Sequence, residues 1–68
     1  MNTKNTIKPQ LCLKFNYGLG SYVIKSIDLK RQSIVVKEIS GDFEQEMTWN
    51  YDGLVVFLTK NSDHILEK

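Results

Sequence analysis

Between Leu11 and Thr59, apolar and polar residues alternate at intervals of two, and glycines interrupt the alternation at short spacing. Side chains on a β-strand change face at every residue, so period two marks a strand with one dry and one wet side. Leu11, Leu13, Phe15 and Tyr17 alternate with Cys12, Lys14 and Asn16, which predicts a first strand. Gly18-Leu19-Gly20 then suits a tight hairpin turn with positive φ. The second strand, Ser21 to Asp28, is less regular, with Tyr22 and Ile24 on one face and Val23 and Ile27 on the other. A bulge near Lys25-Ser26, or a strand buried on both faces as it bends between two sheets, accounts for the mixture. Asp28 to Ser33 reads as a polar loop and Ile34 to Ile39 as a short β-branched third strand. Ser40-Gly41-Asp42 supplies another turn. The fourth strand has the cleanest alternation: Phe43, Gln45, Met47 and Trp49 face one way, and Glu44, Glu46, Thr48 and Asn50 the other. Tyr51-Asp52-Gly53 reads as a third turn, and Leu54 to Thr59 as a strand buried on both faces.

These elements predict an all-β domain, a five-stranded antiparallel small barrel of the SH3-like or Sm-like kind. Closure would remove the exposed edges of a flat sheet. Residues 1–10 read as a flexible polar arm, 11–59 as the barrel, and 60–68 as a tail in which Asn61-Ser62-Asp63 caps one short helical turn. At 68 residues the chain is one domain with a small core. Its single cysteine, Cys12, makes no internal disulfide, and no Cys/His cluster exists to hold zinc. The core must therefore suffice, or the chain associates with a partner or with itself. The N-terminus lacks the apolar stretch of a signal peptide, and the run Leu54 to Leu58 is too short to span a bilayer, so the expectation is a cytoplasmic protein.

Within residues 26–57, Ser26-Ile27-Asp28-Leu29, Ile34-Val35-Val36-Lys37-Glu38, Gly41, Glu44 to Trp49 and Asp52-Gly53-Leu54 follow a recognisable pattern. It resembles the Rof family, Sm-like bacterial inhibitors of the transcription terminator Rho. The resemblance covers under half the chain and implies the small barrel. Those inhibitors use an acidic segment ahead of the barrel, whereas the arm here is basic, so the activity is not carried over with the fold.

The residues give little support to catalysis. A general acid or base needs a group titrating near neutrality or a pair with shifted affinities, and the only histidine, His64, has no nucleophile near it in sequence. Cys12, between Leu11 and Leu13, reads as a small buried hydrophobe. Glu44 and Glu46 stand side by side on a face that reads as solvent, and Gly18-Leu19-Gly20 lacks the following helix of a phosphate-cradling loop. The expectation is a non-enzyme without cofactor or metal.

Charge is distributed unevenly. Residues 1–37 carry Lys4, Lys8, Lys14, Lys25, Lys30, Arg31 and Lys37 against Asp28 alone. Residues 38–68 carry Glu38, Asp42, Glu44, Glu46, Asp52, Asp63 and Glu67 against Lys60 and Lys68. Two functions compete on that asymmetry. In the first, Asp42, Glu44, Glu46, Thr48, Asn50, Tyr51 and Asp52 form an acidic surface that meets a basic surface on a protein partner. A regulator or inhibitor of a nucleic-acid-handling protein, of the kind a phage carries, would work this way. In the second, Tyr17, Tyr22, Lys25, Lys30 and Arg31 bind RNA or single-stranded DNA, aromatic platforms and cations acting together. Against these stand plainer readings: solvated lysines, an ordinary wet strand face, and Trp49 and Phe15 as core. The near-neutral net charge of +1 weighs against a dedicated nucleic-acid binder. The short length adds a third possibility, a structural subunit that completes its core as a homo-oligomer.

Overall fold

The computed structural model describes residues 6–41 and 45–67, apart from the side chain of Glu67. Asp42, Phe43 and Glu44, expected to end the second glycine turn and begin the fourth strand, lie outside the described residues. The fold is mostly β: β1 (Lys14–Tyr17), β2 (Gly20–Asp28), β3 (Ser33–Glu38), β4 (Glu46–Asn50), one helix α1 (Tyr51–Lys60), a 3₁₀ turn (Ser62–His64) and β5 (Ile65–Glu67). All pairings are antiparallel, in the order β4-β3-β2-β1-β5. The sheet is open, with β4 and β5 at its edges, and is not closed into the expected barrel.

The first hairpin forms as the glycines require. Tyr17 pairs with Gly20, so Gly18 and Leu19 make a two-residue loop. Gly18 has φ +64° while Leu19 does not enter the positive region, the pattern of a type II′ turn. The anticipated bulge is also present: Ile24 pairs with Val36 but Ser26 with Val35, leaving Lys25 extra. That residue turns Ile27 onto the face of Tyr22 and Ile24, which resolves the broken alternation.

Several local expectations fail. Leu54 to Thr59 is helix, not strand, and Asp52-Gly53 is its first turn, not a hairpin. Asn50 caps α1: its side-chain oxygen accepts from the N–H of Asp52 (3.0 Å) and of Gly53 (3.3 Å). Leu54 and Leu58, four residues apart, face the sheet and are fully buried, whereas Val56 is 51% exposed. A short apolar run fits either period, and here the cap and the i, i+4 leucines decide. The strand at Leu11 also starts late. Cys12 sits in a turn at φ 70° and is exposed, not buried; its N–H and the Leu13 C=O both bond Ile24, so two residues face one.

The tail forms its helical turn and then β5, which pairs with β1 through Phe15↔Ile65. Residues 6–10 of the expected arm are tied down in part. Ile7 packs against the core, its N–H donates to Thr59 Oγ1 (3.0 Å), and Pro9 is buried.

The core lies between α1 and one face of the sheet. Phe15, Ile24, Ile34, Val36, Leu54 and Leu58 are fully buried, and Tyr22, Ile27, Met47, Trp49, Tyr51 and Phe57 pack around them. Among the described residues, no helix is long and apolar enough to cross a membrane.

Candidate functional site

Because α1 covers one face of the sheet, the register decides what the other face carries. Directly opposed residues share a face. The core face holds Ile24, Val36 and Met47 in one row and Ile27, Ile34 and Trp49 in another. The outer face holds Lys14, Val23, Lys37 and Glu46 in a row across four strands, then Ser26, Val35 and Thr48, then Asp28, Ser33 and Asn50. Val23 and Val35 are half-buried by their sheet neighbours and take no part in the core. Charged and polar side chains therefore frame a narrow apolar strip on a face that no described element covers.

Of the acidic set, Glu46, Thr48 and Asn50 are exposed and point alternately outward from β4, as the alternation predicts. Asn50 has a second task as the helix cap, and Asp52 follows in the first turn of α1, where a carboxylate suits the positive end of the helix dipole. Tyr51 is half-buried and packs against the core. Asp42 and Glu44 lie outside the described residues. Lys37 stands directly across from Glu46, so a basic side chain borders the acidic row. Sequence reasoning missed Lys14, Lys37, Val23 and Val35 as members of this surface. The alternation in β1 already set Lys14 on the polar face, but only a fixed bulge position in β2 assigns a face to Val23, Val35 and Lys37.

The aromatic and basic set is split. Tyr17 and Tyr22 lie on the core face near the first hairpin. Tyr22 stacks on Phe15 (6.1 Å between centroids), and Tyr17, 41% exposed, meets Trp49 edge-on at 5.1 Å and Phe57 at 5.6 Å. Lys25 is the exposed bulge residue. Lys30 and Arg31 sit in the loop past Asp28, the far end of β2, which is itself six residues beyond Tyr22 and so about 20 Å from it along the strand. Asp28 Oδ1 accepts from both loop N–H groups (3.1 and 3.2 Å), and its other oxygen lies 3.9 Å from Arg31 Nε. That exposed pair contributes little stability, yet it sets a carboxylate within the most basic loop.

His64 packs edge-on against Phe57 at 6.1 Å, with its Nδ1 buried and without a hydrogen-bond partner. Among the described residues, no group of three or more His, Cys, Asp or Glu side chains converges to hold a metal ion. A cleft bounded by Ile7, Lys8, Leu11, Cys12 and Ile65 opens beside β5. No known protein family, curated protein or solved structure matches this chain.

Proposed function

We propose that this chain is a small, non-enzymatic, cytoplasmic protein-binding module that presents the outer side of β4 to a partner with a basic surface. The observation that supports this reading is the row Glu46, Thr48 and Asn50, exposed together on a strand at the edge of the sheet. Asp42 and Glu44 precede that row in sequence and extend its charge. With Asp42 and Glu44 close before it in sequence, Glu46 completes three carboxylates within five positions. That local density of negative charge suits lysines and arginines, which favours a nucleic-acid-handling protein as the partner and inhibition by competition as the mode. Charge complementarity of this kind speeds encounter and selects the partner.

The test is affinity capture from native lysate after nuclease treatment, comparing the natural chain with a Glu44→Lys, Glu46→Lys variant. The expected result is a protein retained by the natural chain and lost from the variant, with unchanged circular dichroism. Equal retention by both would remove β4 as the contact. Capture abolished by nuclease alone would favour the nucleic-acid reading.

A further inference from the structure

Among the described residues, β4 pairs on one side only, with β3. Its ladder with β3 is flanked by the Glu38 N–H bond to the Gln45 carbonyl and the Tyr51 N–H bond to the Gln32 carbonyl, both 2.7 Å. Bonded pairs alternate in an antiparallel ladder, so Ile34↔Trp49 and Val36↔Met47 are the bonded ones. Met47 and Trp49 thus direct their backbone groups at β3. The N–H and C=O of Glu46 and Thr48, and the N–H of Asn50, point away from the sheet. Natural edges are commonly blunted by lysine, proline or a bulge. β4 has none of these, and its register is unbroken. The opposite edge, β5, is three residues long and shifts register against β1.

We propose that β4 pairs with β4 of a second copy of this chain, antiparallel about a two-fold axis at Thr48. Charge excludes one register, and side-chain pairing favours the one centred on Thr48. An axis at Glu46 would set two carboxylates face to face, which destabilises a cross-strand pair. An axis at Thr48 sets Glu46 opposite Asn50 of the second copy. Asn50 uses its side-chain oxygen to cap α1, which turns its amide NH₂ into the donor that an incoming carboxylate needs. The positive end of α1 begins at the same place and attracts the same carboxylate. On the core face the register sets Met47 against Trp49 of the second copy. Both are half-buried here, and a thioether against an aromatic ring is a favourable contact. The two Thr48 residues would exchange backbone bonds, and each Asn50 N–H would donate to the Glu46 carbonyl of the other copy. This pairing draws on Glu46 and Asn50, which the proposed partner contact also uses, but it requires the backbone edge of β4 as well. Thr48→Pro removes that edge and keeps Glu44 and Glu46, so loss of self-association and loss of partner capture are read by different variants.

Two measurements decide it. In sedimentation under reductant, the natural chain should pass from 7.9 kDa toward about twice that mass between micromolar and millimolar concentration. Thr48→Pro should stay monomeric with unchanged dichroism, since the Thr48 N–H takes no part in the β3 ladder. For register, cysteines are placed singly in a Cys12→Ser background. Thr48→Cys should cross-link on mild oxidation, because bonded antiparallel partners lie about 5.5 Å apart between Cα atoms, within disulfide reach. Glu46→Cys should not, because its two copies would lie about 13 Å apart along the strands. A natural chain monomeric through millimolar concentration, or equal cross-linking at both positions, would overturn the proposal.

Discussion

Leu54, Val56 and Leu58 separate helix from strand by a sign, not only by a size. In a strand all three side chains share a face, and truncating any of them opens the same core. In α1, Leu54 and Leu58 are fully buried while Val56 is 51% exposed. Leu58→Ala removes buried atoms and leaves a cavity, at a cost of about 2–5 kcal/mol. Val56→Ala removes an exposed, β-branched side chain from a helix, where alanine is the better helix former by roughly half a kcal/mol. It should therefore be neutral or slightly stabilising.

At roughly 0.05–0.15 kcal/mol per residue, a chain of this length has about 3–10 kcal/mol of stability. Leu58→Ala thus removes a large share of it, and Leu58→Met, which conserves volume and costs less than about 1.5 kcal/mol, provides a variant that stays folded. Urea unfolding followed by the fluorescence of Trp49, the only tryptophan, reads all three variants. The core ring of Trp49 lies 5.5 Å from that of Phe57 on the helix, so its signal reports the packing of α1. A Val56→Ala loss equal to that of Leu58→Ala would refute the helix and restore a strand at these positions.

Asn50→Ala should lower stability by about 1 kcal/mol, because two N–H groups of the first turn lose their acceptor, and Asn50→Asp should retain it; equal thermal midpoints for the natural chain and Asn50→Ala would contradict the cap. Gly18→Ala should cost about 1 kcal/mol through backbone strain alone, since an added Cβ meets nothing within 4 Å. Gly18→Asn should recover most of that loss, and a harmless alanine in urea unfolding would mean the turn is not left-handed there. His64→Phe should stabilise the fold by about 1 kcal/mol, because it keeps the ring against Phe57 and removes a buried nitrogen without a partner; a lower unfolding midpoint would show that Nδ1 is in fact bonded. Finally, the Cys12 thiol should react with a disulfide reagent in the folded state as fast as in urea, being exposed, and protection in the folded state would refute that placement.

The sequence was most readable where one physical rule acts alone. The alternation of Met47, Thr48 and Trp49 assigns faces correctly because nothing competes with the core for the apolar side. The broken alternation of β2 locates its bulge, since an extra residue is the simplest way to return Ile27 to the face of Ile24. It was unreadable where two rules meet. Leu54 to Leu58 satisfies both a doubly buried strand and a helix, and the Asp-Gly step that suggested a turn also fits a first helical turn after an asparagine cap. Leu11 and Leu13 alternate like a strand, yet Cys12 between them is left-handed, which no propensity scale for cysteine foretells. β5 was missed because three residues carry no period, and its place depends on a pairing with Phe15 fifty positions earlier in the chain.

The same ambiguity governs the candidate surface. Had Leu54 to Thr59 continued as a strand after a hairpin turn, it would have lain beside β4 and satisfied the outward groups of Glu46 and Thr48. Instead Asn50 stops the strand and starts α1, which crosses back over the core face and contacts β4 from that side only. The helix thereby completes the core and leaves β4 as an edge, with its acidic row uncovered. The open backbone edge of β4 therefore follows from one capping residue standing where a turn was expected. Any change that lets this segment pair as a strand beside β4 should abolish the proposed edge association while leaving the outer side chains of Glu46 and Thr48 exposed, whereas a change that only weakens the core should spare both until the whole domain unfolds.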